Sequence, residues 1–146
     1  MKKTLLALLP FLFALFCLSG CGTGVKLVSI TVNVLELHPK SDTSATMVVR
    51  YVNENVTSFA VDSSKHKLYL NGQYVGTARS KEPVGLLQLN HTNQTLALDI
   101  EKPDVFRSML GQTVPYVIES ELRLQVGDDE DKLKSRSTGQ VEVSAN

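Results

Sequence analysis

The sequence predicts an all-β domain, a β-sandwich of about seven to eight short strands, carried out of the cytoplasm by a leading export signal. Three observations predict it. Apolar and polar residues alternate with period two in run after run, as in Val28, Ile30, Val32 and Val34 against Ser29, Thr31 and Asn33. Turn-forming residues punctuate these runs at short intervals, and Asn71-Gly72 is the sharpest case. Helical spacing of apolar residues occurs once, after Pro103.

The 146 residues fit one domain, and residues 1–20 stand apart from it. Lys2 and Lys3 precede an apolar run from Leu5 to Leu18, followed by the small residues Ser19 and Gly20, the layout of a signal peptide. The run is short for a membrane span, which needs about 20 residues. Leu18-Ser19-Gly20-Cys21 resembles the lipobox of bacterial lipoproteins. In that family the cysteine receives a diacylglycerol, the signal is cut before it, and the new amino terminus is acylated. Cys21 would then be the lipidated first residue, and Gly22, Thr23 and Gly24 a tether spanning at most ~14 Å.

Cys17 falls in the removed segment, so the mature chain keeps one cysteine and cannot form an internal disulfide. Stability must come from a packed core. Removing Lys2 and Lys3 leaves 13 basic residues against 15 acidic ones, a net charge of −2. Such a chain, without a basic stripe in its sequence, is poorly equipped for the phosphate contacts of nucleic acid.

The elements follow in order. Alternation from Val25 makes a first strand, ended by His38-Pro39-Lys40-Ser41-Asp42, and residues 44–53 make a second with Met47, Val49 and Tyr51 on one face. Residues 51–78 are expected to supply the third, fourth and fifth strands. Phe59 and Val61 alternate until Asp62-Ser63-Ser64, read as a bulge or a crossing between sheets. Leu68 to Val75 reads as a two-residue hairpin, because a type I′ turn needs positive φ at both Asn71 and Gly72. Its register sets Leu70 opposite Gln73, Tyr69 opposite Tyr74 and Leu68 opposite Val75, with Leu68, Leu70 and Val75 toward the core.

Pro83 and Gly85 mark a loop. Leu87 and Leu89 then alternate as a strand, His91-Thr92-Asn93-Gln94 turns the chain, and Leu96, Leu98 and Ile100 return it. Pro103, Val105, Phe106, Met109, Leu110 and Gly111 give one short helix near residues 103–110. Val114 to Leu124 forms a long strand, Gly127-Asp128-Asp129-Glu130-Asp131 its tip, and Lys134 to Val143 the last strand. Residues 144–146 form a fraying tail.

No motif brings catalytic or metal chemistry. His38, His66 and His91 share no ligand spacing and read as surface residues in turns and strand ends. The acidic run at residues 128–131 lacks the spaced pattern of a calcium loop, and no G-x-S-x-G elbow occurs. The expectation is a protein that is not an enzyme and carries no cofactor or metal. Tyr69 and Tyr74, paired on an outer face, are candidates for surface contact with a partner.

Val52-Asn53-Glu54-Asn55 and the hairpin HKLYLNGQYVGTA resemble the late-embryogenesis-abundant (LEA) type 2 family, or water stress and hypersensitive response (WHy) domain, over residues 25–143. Glu54 replaces the proline of that family's Asn-Pro-Asn signature, while Asn53 and Asn55 keep the means to hold a turn. The resemblance implies an immunoglobulin/fibronectin type III-like sandwich. It also implies a non-enzymatic role in protecting destabilised proteins or membranes from desiccation. With Cys21 lipidated, the partner is a membrane of the bacterial envelope. Gly22, where the inner-membrane retention signal would have aspartate, points to the periplasmic face of the outer membrane. Alternatives are a lipid-binding module in envelope lipid traffic, with Leu35, Leu37, Leu86 and Leu87 as the hint of a groove, or a structural partner of an envelope complex.

Overall fold

The computed structural model describes residues 29–126 and 129–145. Cys21, the expected tether, the start of the first strand before Ser29, the Gly127-Asp128 tip and Asn146 lie outside the described residues. The elements are β1 (Ile30–Ser41), β2 (Ser44–Asn53), β3 (Phe59–Leu70), β4 (Gln73–Ser80), β5 (Val84–Leu86), β6 (Asn90–Ile100), α1 (Pro103–Arg107), β7 (Thr113–Val126) and β8 (Asp129–Glu142).

Every ladder between these strands is antiparallel, in the order β1-β2-β6-β4-β3-β7-β8, with β5 added to β3. The sheet curls until its two edges meet, so that the walls of the sandwich are continuous. Leu37 of β1 forms a parallel bridge with Val143, just past β8. The Ser137 hydroxyl donates to the Val32 carbonyl, and the Val34 N–H donates to the Tyr116 hydroxyl at 3.2 Å. The expected all-β, sandwich-like class is present, with a single short helix among the described residues.

The alternation does what it implies. Ile30, Val32 and Val34, then Met47, Val49 and Tyr51, then Leu68, Leu70 and Val75 all point into one core. From β7 come Val114, Tyr116, Ile118, Leu122 and Leu124. Pro103 opens α1 where its missing N–H costs nothing. Phe106 and Met109 are buried beneath it, and Gly111 leaves at φ 72°.

Several boundaries differ from the expectation. β1 continues through Pro39 to Ser41, because Pro39 sits beside a register shift, where a strand tolerates proline. Leu35 is itself a bulge between Val34 and Glu36, which puts both Val34 and Leu37 in the core. Residues 51–78 supply parts of β2, β3 and β4 rather than three further strands, since β3 runs unbroken past Asp62. The irregularity there is a bulge against β7, and it marks where β3 changes its other neighbour from β5 to β4.

Gly85 lies inside β5 and Leu87 and Leu89 lie in a loop, while residues 91–94 belong to β6. Those polar residues are held in a strand by β2, which pairs with β6 from Asn53–Asn90 to Ser44–Asp99. Asp129 to Asp131 likewise belong to β8. In the hairpin, Leu68 faces Gly76, because the ladder shifts by one residue between Leu68 and Tyr69. Glycine is required at 76: a Cβ there would run into the Asp99 carbonyl of β6.

Candidate functional site

Strand directions divide the molecule into two ends. At one end lie the 42–43 turn, the Asn71-Gly72 hairpin, α1 and residues 143–145. At the other lie Ser29, the 53–58 loop and the 86–90 loop.

The first end carries the tyrosine pair. Asn71 (φ 48°) and Gly72 (φ 77°) make the expected type I′ turn. Tyr69 and Tyr74 oppose each other with ring centroids 5.5 Å apart and planes tilted by 59°. Both are half-buried, and both hydroxyls are used within the chain. Tyr74 donates to Glu101 at 2.6 Å and lies 2.8 Å from the Thr77 hydroxyl, while Tyr69 reaches Glu119 at 3.4 Å. Desolvation, then the bond to Glu101, raises the Tyr74 phenol above its ordinary range, and the same bond lowers the Glu101 carboxyl.

The second end is organised by two buried asparagines. The Asn53 side-chain amide donates to the carbonyls of Thr57 (2.8 Å), Leu87 (3.1 Å) and Leu86 (3.3 Å). Its oxygen accepts the Asn55 backbone N–H at 3.0 Å and the Asn55 side-chain amide at 2.9 Å. Asn55 in turn donates to the Ser29 carbonyl at 2.8 Å, tying the start of the described chain to this loop. The Asn-x-Asn motif is therefore a structural lock. Glu54, exposed between the two asparagines, takes no part in these bonds.

Between the ends runs a polar chain that the sequence did not reveal. His66 is wholly buried, not at the surface as its sequence context suggests. Its Nδ1 lies 2.8 Å from the Ser120 hydroxyl and its Nε2 3.1 Å from the Tyr51 hydroxyl. Tyr51 donates to Gln94 at 2.9 Å. The Ser64 hydroxyl lies 3.3 Å from that of Tyr51, and one proton arrangement satisfies the group: Ser120 donates to Nδ1, Nε2–H and the Ser64 hydroxyl donate to Tyr51, and Tyr51 donates to Gln94. Histidine is neutral in that arrangement, and desolvation lowers its pKa to about 4. Serine beside histidine suggests a nucleophile and base, yet both side chains are buried and the second nitrogen meets a phenol rather than an orienting carboxylate. The only signal for this network was polar residues at inward positions of β3, β6 and β7.

A second feature is absent from the linear sequence. Two adjoining grooves of about 280 and 290 Å³ lie on the outer face of β3, β4, β7 and β8. Lys65, Lys67, Lys134 and Arg136 line the first, around Glu119 and Glu121. Arg79, Lys81, Arg123 and Lys132 extend the basic lining into the second. The basic residues come from separate strands, which is why no stripe is visible along the chain. Leu35 and Leu87, read as hints of an apolar groove, are respectively a bulge and an exposed loop residue. Among the described residues no three of His, Cys, Asp and Glu converge as metal ligands would, and no helix is long and apolar enough to cross a membrane.

Solved structures share this architecture. The solution structure of an Arabidopsis thaliana protein superposes with a TM-score of 0.56 at 14% identity, covering 86% of this chain and 91% of that one. A protein described provisionally as late embryogenesis abundant gives 0.54 at 11% identity, covering 97% of this chain and 84% of that one. The likeness is one of fold. The resemblance read from the hairpin and the Asn-x-Asn motif thus has a three-dimensional counterpart. No family model matches the chain, and no curated protein matches it.

Proposed function

We propose that this chain is a lipid-anchored, non-enzymatic protein of the bacterial envelope that protects neighbouring proteins and membrane surface during loss of water. The observation that carries the reading is a fold shared along nearly the whole chain with a protein described provisionally as late embryogenesis abundant, joined to the lipobox-like sequence at Cys21. The chemistry of the fold agrees. Its buried polar groups are all satisfied among the described residues, and its outer face is dense with charge. Such a surface stays hydrated and makes weak, exchangeable contacts, which suits a shield better than a site for one substrate. Anchoring at Cys21, on the periplasmic face of the outer membrane, would concentrate the domain where its clients lie.

A drying assay tests the reading. An aggregation-prone enzyme is dried and rehydrated with this protein on phospholipid vesicles, with vesicles alone, and with an equal mass of inert protein. Protection is expected to exceed both controls, and recovery no better than with the inert protein would sink it.

A further inference from the structure

We infer that the rim made by the 53–58 and 86–90 loops is a membrane-contacting surface, with Val56, Leu87 and Leu89 entering the headgroup region of a phospholipid bilayer. The nearness of that bilayer rests on the lipoprotein reading of Cys21; the surface itself rests on four observations.

Val56, Leu87 and Leu89 are the large apolar side chains that stand exposed among the described residues, at 77%, 63% and 68%. They gather on one rim. The Leu89 N–H donates to the Asn55 carbonyl at 3.1 Å, the Gln88 N–H to the Ser58 hydroxyl at 3.1 Å, and Asn53 holds the carbonyls of Leu86 and Leu87. Scattered exposed apolar residues need no explanation, but all three on two stitched loops do.

Leu89 also has φ 50°, the left-handed region that asparagine or glycine adopts at far lower cost. The leucine is not in the core, so packing does not compensate for that conformation. Strain kept at an exposed apolar residue is the mark of a surface with a use.

The rim is also where the chain enters the domain. Ser29 is bonded to Asn55, and β1 runs away from this end. The eight residue steps back to Cys21 reach at most about 28 Å, so a lipidated Cys21 holds this end, not the other, against the bilayer.

Charge agrees with the placement. Glu54 is the one charged residue in the two loops themselves; Glu130 and Asp131 of β8 reach the same end on the other side of β3, and the opposite end carries Lys40, Asp42, Glu101, Lys102, Asp104 and Arg107. A lipid tether alone leaves the domain free to tumble. Three apolar contacts beside it would fix its orientation and turn the tyrosine end toward the periplasm, with the basic grooves along the side of the domain.

The chain has no tryptophan, so single-tryptophan variants report directly. Val56→Trp, Leu87→Trp and Leu89→Trp, with Gln73→Trp as the control at the far end, are expressed as full chains, purified, weighed by mass spectrometry and reconstituted in phosphatidylcholine vesicles containing brominated lipid. Rim tryptophans are expected to be blue-shifted and quenched, also at about 1 M salt, where charge attraction is screened. Gln73→Trp should stay water-like. Acylated chain with water-like rim tryptophans would overturn the surface and leave the anchor standing. Quenched rim tryptophans without an acyl mass would support the surface and overturn the anchor, and neither signal would overturn both. Rim tryptophans that are shielded but unquenched would assign the rim to another protein surface and overturn membrane contact. Adding Leu89→Asn to Leu87→Trp should lower quenching at least about twofold while raising the thermal midpoint, a pairing that a merely structural role would not give.

Discussion

The two ends of this sandwich turn the chain by different means. At the Asn71-Gly72 end, the hairpin itself is set by residues next to one another, two of positive φ and a cross-strand tyrosine pair, and the longer-range contacts, such as Arg107–Asp42 at 3.1 Å and the Asn71 N–H to the Pro115 carbonyl at 2.8 Å, are spread over several separate pairs. At the Asn53 end, one buried side chain reaches across to a loop more than thirty positions away. The hairpin of the first end is built from local conformational preference. The second is built from non-local hydrogen bonds, keeps a strained leucine and shows apolar side chains to the outside. Stability at the first end is therefore spread over many small terms, while at the second it is concentrated in Asn53.

The sharpest way to break that contrast is Asn53→Ala. It removes the donor to the buried Leu86 carbonyl and the part-buried Thr57 and Leu87 carbonyls, and the acceptor of the Asn55 N–H. Denaturant unfolding should show a loss of about 3 kcal/mol, the scale for breaking a buried hydrogen-bond network. Hydrogen exchange should quicken in the 53–58 and 86–90 loops before it does elsewhere. A loss below about 1 kcal/mol would mean that water or neighbouring groups replace the lock.

Midway between the ends, His66 couples stability to pH. Its folded pKa, lowered by desolvation to about 4, lies below the ordinary 6.5 that it regains on unfolding. Its contribution is thus fully present above pH 6.5. As pH falls toward about 4 the unfolded chain takes up a proton that the folded chain refuses, so stability drops by about 1.4 kcal/mol per pH unit and roughly 3 kcal/mol in all. His66→Gln should remove this component of the slope between pH 6.5 and 5, measured by urea titration at each pH. An unchanged slope would show that histidine is not the group responsible.

What could be read from the sequence follows the same division. The Asn71-Gly72 turn, the Tyr69–Tyr74 pairing and β2 were legible because each depends on residues adjacent in sequence or on strict alternation. The 86–90 loop was not: Leu87 and Leu89 alternate like a strand, and Asn53, Asn55 and Ser58, far earlier in the chain, hold them in a turn. His91 to Gln94 read as a turn because their polarity is local, whereas their strand is imposed by β2. His66 escaped for the same reason, since Tyr51 and Ser120 become its partners only when β3 lies between the other strands. The close approach of the Asp99 carbonyl that requires glycine at 76, opposite Leu68, is likewise contained in no short-range pattern.

At the local end the expected effects are smaller. Gly72→Ala places a Cβ at φ 77° in open space, with no atom near enough to clash. Its cost is then conformational alone, about 1 kcal/mol, less than half of that expected for Asn53→Ala. Equal losses at the two positions would erase the distinction between local and non-local turns.

The smallest effect is expected at the tyrosine clasp and sharpens the comparison in a different way. Tyr74→Phe deletes the hydroxyl that donates to Glu101 and keeps the ring against Tyr69. Because that bond is the leading cause of the lowered Glu101 carboxyl, its pKa should rise back toward the ordinary carboxylate range in an NMR titration, with the fold unchanged. Glu101 is fully exposed, so the gain of charge-assisted bonding there is screened by water and little stability should be lost. A large loss of stability would mean that the clasp carries structural weight comparable to Asn53. A pKa shift without such a loss would mark this end as a local, separable surface, free to change in contact chemistry without disturbing the lock at the far end.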